Sequence, residues 1–176
     1  MKILIAYAST EGQTRKIARY CADYLTEQGH TVELCPAEDA TDTSLSRFDA
    51  VLLAGSLHAG NYQPVLVDLA KAQAGTLRNA KAAFLSVSLA AAGDDTEDWV
   101  GLRNCVTRFA EETGWTPKTV MHVAGAFRFS EYDFFKSWAM RWIAKEKDQS
   151  VKPGEDKEYT DWAALKTALG DWLGTA

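Results

Sequence analysis

The sequence predicts a doubly wound α/β domain, because short apolar segments alternate with longer segments of helical periodicity. Residues 2–7 form an apolar run that is long enough for a strand and too short for a helix. Residues 49–55 and 82–88 are almost entirely apolar, as expected for central parallel strands that helices cover on both faces. Strands that alternate with helices form right-handed βαβ units around one parallel sheet. At 176 residues, we expect a single domain over 1–176.

The other elements follow from spacing, glycines and prolines. In residues 12–28, Ile17, Cys21 and Leu25 recur at helical spacing, and Gly29 is placed to end that helix. Pro64 is suited to begin a helix over 62–74 that Gly75 would close. A further helix follows residue 96, and the last helix covers 159–173, with Thr160 or Asp161 as its cap. Brief strands at 31–34 and 119–125 bring the predicted sheet to five strands.

Residues 126–156 form a connection between the fifth strand and the last helix that is longer than alternating strands and helices require. Phe135, Trp138 and Trp142 fall on one face of a predicted amphipathic helix, which a polar linker follows. One interpretation is a helix packed on its own domain. The other is a surface for a partner, an apolar substrate or the membrane interface, since a wide aromatic face outside the repeat needs a reason.

Residues 9–14 connect the first strand to the first helix and are rich in hydroxyl groups. Amides at a helix N-terminus lack intrahelical acceptors, and the helix dipole favours an anion there. The glycine pattern matches neither the G-x-G-x-x-G fingerprint nor the Walker motif. The loop therefore predicts a monophosphate site, with an ordinary helix cap as the alternative. The predicted phosphate-binding residues are Ser9, Thr10, Glu11, Gly12, Gln13 and Thr14.

Two more loops follow predicted strands three and four, and both are small, polar and glycine-bearing. Ligands of open α/β sheets bind beyond the carboxyl ends of the strands, so a flat ring is expected between these loops. His58 is interpreted as a hydrogen-bonding or stacking residue rather than a general base. No Ser/His/Asp triad, carboxylate pair or metal-ligand cluster is evident. The predicted ring-binding residues are Ser56, Leu57, His58, Ala59, Gly60, Asn61, Ser86, Val87, Ser88 and Leu89.

The charge, the apolar segments and the cysteines of the chain exclude several classes of protein. The net charge of −5 leaves no basic excess to neutralise nucleic-acid phosphates, so no nucleic-acid partner is expected. No segment approaches the roughly 18 apolar residues of a membrane span, and the first residues resemble a strand rather than a secretory leader. Cys21, Cys35 and Cys105 are widely spaced, which favours reduced thiols over disulfides. We therefore expect a cytoplasmic protein.

The first loop resembles the phosphate loop of the flavodoxin family, [ST]-x-T-G-x-T, with Glu11 where that family usually has threonine. The resemblance implies a three-layer α/β/α domain with strand order 2-1-3-4-5 and a bound FMN. It further implies that the loops after strands three and four hold the isoalloxazine ring. His58 and Gly60 would then be neighbours of flavin N5, and the Gly60 backbone would turn towards that atom and tune the reduction potential.

Most of the chain resembles one branch of that family, the menaquinone-dependent protoporphyrinogen dehydrogenases of haem biosynthesis. Residues 11–18, 56–62, 84–89, 124–129 and 159–162 carry the resemblance, together with the aromatic insertion. It implies oxidation of protoporphyrinogen IX with a quinone as acceptor. It also implies contact between residues 127–147 and the cytoplasmic face of the inner membrane. The candidate substrate or partner residues are Tyr62, Arg128, Phe135, Trp138, Arg141 and Trp142.

Two departures from that branch bear on the substrate. His58 stands where the branch has a basic loop, and the loop after strand four is acidic, with Asp94, Asp95, Glu97 and Asp98. Positive charge for porphyrinogen propionates would then come from the insertion. The alternative function is a flavodoxin-type electron carrier without a substrate pocket, which an acidic rim would suit. A response-regulator-like domain is disfavoured, because Ser56 stands where its phosphoacceptor aspartate would be.

Overall fold

The five predicted strands form one parallel sheet in the order β2-β1-β3-β4-β5, which confirms the predicted topology. The computed structural model describes residues 1–127 and 156–174. Each pair of neighbouring strands is parallel and in continuous register. The strands are β1 (Lys2–Ala8), β2 (Thr31–Pro36), β3 (Ala50–Ser56), β4 (Lys81–Ser88) and β5 (Thr119–Ala124).

Helices cover both faces of this sheet. Asp95 and Asp161 cap two of them, since each side chain accepts hydrogen bonds from amides of the following turn. The Asp161 cap agrees with one of the two predicted caps. Short 3-10 turns lie at Leu45–Arg47 and Ala90–Ala92. The described helices are α1 (Gln13–Glu27), α2 (Ala37–Ala40), α3 (Pro64–Ala72), α4 (Ala74–Asn79), α5 (Thr96–Thr113) and α6 (Trp162–Leu173).

The core consists of two apolar layers, one on each side of the sheet. Alternate residues of β1 enter opposite layers: Ile3 and Ile5 pack with residues of α1 and α6, whereas Leu4 and Ala6 pack with residues of α3 and α5. Because both faces of the central strands are covered, those strands have no polar alternation in the sequence. This explains why β3 and β4 are predicted from composition alone.

The predicted helix over 62–74 differs from the structure at both ends. Helix α3 begins at Pro64 and ends at Ala72. Gln73 then leaves helical geometry (φ −106°, ψ 12°), and a separate helix α4 starts at Ala74. Gly75 therefore lies inside α4 and does not close a helix. The buried Leu77 anchors this extra turn in the core, so tertiary packing outweighs the local preference of glycine for a helix end.

A two-stranded antiparallel pair joins the two ends of the predicted insertion. Strand β6 (Ala126–Phe127) pairs with β7 (Lys157–Glu158), so that Phe127 lies opposite Lys157. The predicted aromatic helix within 128–155 lies outside the described residues. The expectation of one domain over 1–176 consequently stays a prediction. Within the described ranges, no helix is both long enough and apolar enough to span a bilayer.

Gly55 is expected to tolerate no side chain. A Cβ on Gly55 would overlap the Leu66 side chain, which is fully buried, whereas a Cβ on Gly75 would meet open space. Gly55→Ala should lower the free energy of unfolding by about 1–3 kcal/mol through overpacking. The matched control, Gly75→Ala, should leave stability unchanged or raise it by up to about 1 kcal/mol. Urea denaturation of both variants measures this, and equal destabilisation would contradict the packing described for Gly55.

Candidate functional site

The ends of four strands meet at one edge of the sheet and define the candidate site. The parallel register pairs Ala8 with Gly55, Ser56 with Val87, and Ser88 with Ala124. The three loops predicted to bind a ligand, at residues 9–14, 56–61 and 86–89, therefore begin side by side. This is the edge at which open α/β sheets bind ligands.

The first loop presents a free helix N-terminus. Gly12 caps α1 in the left-handed conformation (φ +87°), and its amide donates to Ser9 Oγ at 3.0 Å. The first helical hydrogen bond runs from the Lys16 amide to the Gly12 carbonyl at 3.0 Å. The amides of residues 13–15 precede that bond and have no intrahelical acceptor. They are placed to bind an anion.

Thr14 adds an unpaired hydroxyl to this loop. Its side chain is 1% exposed, and Oγ1 has no hydrogen-bond partner among residues 1–127 and 156–174. A buried hydroxyl without a partner costs free energy. The chemistry of this loop, with helix amides beside an orphaned hydroxyl, therefore fits a phosphate.

Gln63 links the first loop to the end of β3. Its Nε2 donates to Thr10 Oγ1 at 3.2 Å and also to Ser56 Oγ. Gln63 is not among the site residues predicted from the sequence. The available signal was its position immediately before Pro64, where a residue caps the following helix instead of joining it.

The second loop forms a tight two-residue turn. The amide of His58 donates to the Asn61 carbonyl, and the Asn61 amide donates to the His58 carbonyl, both at 2.9 Å. Ala59 (φ +47°) and Gly60 (φ +81°) are both left-handed, as in a type I′ turn. For Ala59 this conformation costs about 1–2 kcal/mol. Strain of this kind persists only where the surroundings hold the backbone in place.

Arg108 on α5 supplies one of those constraints. Its Nη2 donates to the Gly60 carbonyl at 2.8 Å and lies 3.2 Å from Cys105 Sγ. Arg108 is not among the site residues predicted from the sequence, because nothing in the helical spacing of α5 relates it to a loop 48 residues earlier. It places a positive charge beside the second loop, where the sequence itself offers only His58.

The first and second loops also meet through Glu11 and His58. Glu11 Oε1 lies 3.3 Å from His58 Nε2, and the His58 and Glu11 side chains are 33% and 19% exposed. Burial lowers the pKa of His58 below its ordinary value, so the imidazole is neutral at pH 7. The contact is therefore a close approach of a carboxylate to a neutral ring, and His58 Nε2 makes no hydrogen bond within the described residues.

The third loop contributes less than predicted, because Ser86, Val87 and Ser88 belong to β4 and are buried. Ser86 Oγ is 2.8 Å from the hydroxyl of Tyr62, so it faces the core. Ser88 Oγ accepts from the Ala91 amide at 3.3 Å and turns the chain. Leu89, which follows, is partly exposed.

Tyr62 is a core residue and not part of a substrate surface, which corrects the prediction. It is 7% exposed and packs edge-on against Phe84 and Phe109, with ring centroids 4.9 and 5.3 Å away. Burial raises the pKa of Tyr62 to about 12. The hydroxyl of Ser86 satisfies its polar end, which is why a tyrosine can occupy this apolar layer.

The acidic loop has a structural explanation. Asp95 Oδ1 accepts hydrogen bonds from the amides of Glu97 and Asp98, at 2.8 and 3.2 Å. Glu97 and Asp98 stand in the first turn of α5, where the helix dipole favours negative charge. Asp95, Glu97 and Asp98 therefore stabilise the start of α5.

A second polar network fastens the chain after the insertion to α1. Gln13 Nε2 donates to Glu158 Oε2 at 3.0 Å and to Thr160 Oγ1 at 3.1 Å, and Lys16 Nζ pairs with Glu158 at 2.6 Å. Burial by itself raises the pKa of Glu158, but the hydrogen bonds from Lys16 and Gln13 and the Lys16 charge outweigh it and lower that pKa. The charge of Lys16 is thus balanced next to the first loop.

A family model described as a flavodoxin domain matches residues 4–152, which is most of the chain. This chain belongs to the flavodoxin domain family.

Similar proteins of known name fall into two groups. The protoporphyrinogen IX dehydrogenase [quinone] of Escherichia coli K12 is 26% identical over 162 residues, covering 92% of this chain and 89% of the relative. The protein of that name from Leishmania major is 29% identical over 175 residues, covering 97% and 74%. Among solved structures, oxidised flavodoxin 2 of Bacillus cereus aligns with TM-score 0.55 at 22% identity, covering 82% and 99%. That last likeness shows the fold alone.

Five of the six predicted substrate or partner residues belong to the insertion of this flavodoxin domain. Arg128, Phe135, Trp138, Arg141 and Trp142 lie outside the described residues. Of the predicted membrane-contact segment 127–147, only Phe127 is described, and it is 4% exposed. Of the predicted ring-binding residues, 56–61 and Leu89 lie at the carboxyl ends of the strands, and Ser86 to Ser88 belong to β4.

Arg108→Ala is expected to loosen the turn at residues 58–61 of this flavodoxin domain. A hydrogen bond from a charged donor contributes about 1.5–3 kcal/mol, and its loss should speed amide exchange at His58 and Asn61 by about tenfold or more. Hydrogen exchange measured by NMR tests this. Arg103→Ala removes an exposed arginine from the same helix and serves as the control. If both variants leave exchange at the turn unchanged, Arg108 does not hold it.

Proposed function

We propose that this flavodoxin domain binds FMN and oxidises a porphyrinogen, with a quinone as electron acceptor. The observation that carries the proposal is the buried, unpaired Thr14 hydroxyl beside the free amides of α1, at the edge where three loops converge. The names of the relatives at 26–29% identity support the substrate class.

The residues of the first loop would hold the phosphate of FMN. The amides of residues 13–15 and Thr14 Oγ1 supply neutral donors, and no charged side chain is required for them to bind an anion. Gln63 keeps this loop joined to Ser56, so the phosphate end and the ring end of the site are held at a fixed separation. When bound, FMN would take two electrons from the reduced substrate and pass them to the quinone.

The second loop would border the flavin ring, with His58 and Gly60 next to N5. Its backbone is held by paired hydrogen bonds and by Arg108, so the protein contributes positioning and not acid or base groups. The guanidinium of Arg108 lies on an exposed part of α5 and suits a propionate of a porphyrinogen. Arg128 and Arg141 are proposed to add to that charge.

The alternative is a flavodoxin-type electron carrier. The specific observation in its favour is the acidic run from Asp94 to Asp98, since carriers dock partners through charged rims. The capping role of Asp95 accounts for part of that run without a partner.

The deciding experiment separates the two half-reactions under anaerobic conditions. Protein loaded with FMN is mixed with protoporphyrinogen IX, and bleaching of the flavin absorbance is recorded. A menaquinone analogue is then added, and the recovery of absorbance is followed. For the proposed enzyme, the flavin absorbance falls after protoporphyrinogen IX is added and recovers after the menaquinone analogue is added. If protoporphyrinogen IX does not reduce the flavin but a reductase protein does, the protein is an electron carrier instead.

Thr14→Val should weaken FMN binding about tenfold or more, because a hydrogen bond to a charged group contributes about 1.5–3 kcal/mol. Riboflavin, which lacks the phosphate, should bind both proteins equally. Quenching of flavin fluorescence gives both dissociation constants. Thr107→Val, at an exposed position of α5, is the matched control. If Thr14→Val binds FMN as tightly as the wild type, the phosphate does not bind at this loop.

Replacing residues 128–156 with Asn-Gly should abolish porphyrinogen turnover and leave FMN bound. The replacement is geometrically feasible, because Phe127 and Lys157 face each other across β6 and β7 and Asn-Gly suits a two-residue hairpin. Turnover is expected to be lost because the proposed substrate residues from Arg128 to Trp142 are removed. Flavin titration and the anaerobic assay measure the two properties. Full turnover in the shortened protein would place the substrate elsewhere.

A further inference from the structure

Gln13 belongs to the phosphate end of the site through its backbone and contacts the last part of the chain through its side chain. It is the first residue of α1, so its amide is among those that precede the first helical hydrogen bond. The side chain is only 5% exposed, and Nε2 donates to Glu158 Oε2 at 3.0 Å and to Thr160 Oγ1 at 3.1 Å. Anion binding by backbone amides does not by itself explain why the side chain is held in this way.

Thr160 is a fixed partner for Gln13. Its Oγ1 donates to the carbonyl of Ala124 at 2.7 Å, at the end of β5. The next residue, Asp161, caps α6, because its Oδ1 accepts from the Ala164 amide at 2.9 Å. Since the Thr160 hydroxyl gives its proton to Ala124, it presents an acceptor to Gln13. A strand of the central sheet and a helix therefore fix the atom that Gln13 Nε2 contacts.

Glu158 holds the same side-chain nitrogen from β7. Its Oε2 also accepts from Lys16 Nζ at 2.6 Å, and its Oε1 accepts from Trp162 Nε1 at 3.1 Å. The Lys16 and Glu158 side chains are 57% and 31% exposed, and an ion pair this exposed contributes little to stability. The buried side chain of Gln13, with two hydrogen bonds, is therefore the stronger link between α1 and the chain after the insertion.

The start of α1 benefits from such a link because its cap is a glycine. Gly12 has no side chain that could accept from the amides of the first turn, whereas Asp95 and Asp161 do this for α5 and α6. Helix ends fray, and amides that have frayed must be ordered again before they bind an anion. The cost of that ordering is subtracted from the affinity. A fixed Gln13 side chain keeps the first turn in the geometry that a phosphate requires.

We propose that Thr160 and Glu158 are positioning residues for the phosphate end of the site and act on it through the side chain of Gln13. By holding Gln13, they keep the first-turn amides of α1 ordered. They therefore raise the affinity for a phosphorylated flavin and leave the affinity for an unphosphorylated flavin unchanged. This inference rests on the proposed FMN function and gives residues 145 and 147 positions further along the chain a role in ligand selection.

The test compares FMN with riboflavin, whose dissociation constants are measured by quenching of flavin fluorescence. Thr160→Val keeps the shape of the side chain and should raise the ratio of FMN to riboflavin dissociation constants about threefold or more, since Gln13 loses one hydrogen bond. Thr160→Ser keeps the hydroxyl and should retain the wild-type ratio. Thr167→Val, at an exposed position of α6, is the matched control. Thermal unfolding verifies that each variant is folded.

A double-mutant cycle shows whether Thr160 acts through Gln13. Gln13→Ala should raise the same ratio about fivefold or more, because both hydrogen bonds are lost. Thr160→Val should then add nothing to Gln13→Ala, since the side chain through which it acts is gone. In flavin-free protein, the Lys16 amide makes the first hydrogen bond of α1. Its exchange should be about threefold faster in Gln13→Ala and unchanged in Thr167→Val.

Glu158 is tested where the charge of Lys16 is absent, because an unpaired lysine would itself attract the phosphate. The variant that combines Glu158→Ala with Lys16→Met is compared with Lys16→Met alone. Loss of Glu158 should raise the ratio of FMN to riboflavin dissociation constants about threefold or more, as for Thr160→Val.

The inference is overturned if FMN binds the wild type but Thr160→Val leaves the ratio unchanged or weakens both flavins equally. It is also overturned if the effects of Thr160→Val and Gln13→Ala add in full, since Thr160 then acts by another route. Unchanged exchange of the Lys16 amide in Gln13→Ala would likewise show that the side chain does not order the first turn. A wild type that binds neither flavin would overturn the proposed function, and this inference with it.

Discussion

The parallel register of the central strands is the constraint on which the rest of the molecule depends. It brings Ala8, Gly55, Ser56 and Ser88 to the same edge of the sheet, although they are spread over the first half of the chain. The two apolar layers that cover the sheet hold this register, because a shift of one residue would turn buried side chains outward. Gly55 shows how close the packing is next to the site, since the side chain of Leu66 occupies the space that a Cβ would need.

Polar contacts between distant segments then convert adjacent loops into one site. Gln63 joins the first loop to β3, Arg108 joins α5 to the second loop, and Glu158 joins the chain after the insertion to α1. Each of these side chains is partly exposed or lies at the edge of the core, where hydrogen bonds contribute modestly to stability but fix geometry. The common consequence is that contacts from outside the loops add to the hydrogen bonds within loops 9–14 and 56–61 in fixing their positions. Such preorganisation is what a site needs if it binds a cofactor and leaves the chemistry to it.

The fold could be predicted from the sequence because it follows from local signals. Apolar runs defined β3 and β4, and glycine, proline and aspartate defined most helix ends. The errors arose where tertiary packing decides: Gly75 lies within α4 because Leu77 is buried, and Tyr62 lies in the core because Ser86 satisfies its hydroxyl. The first loop was predictable because its residues are contiguous. Arg108 was not, since it reaches the site through a long side chain from α5, whose sequence spacing carries no such information. Gln63 offered only the signal of its position before Pro64.

The most direct measurement of the central claim, that converging loops at this edge hold FMN, is hydrogen exchange of the whole protein with and without FMN. We expect slower exchange of the amides at residues 12–15 and 58–61 together, and unchanged exchange at residues 20–27 in the last two turns of α1. Riboflavin should protect residues 58–61 and leave residues 12–15 close to their free rates. Protection by FMN that is absent from both loops, or that appears only at residues 20–27, would contradict the account.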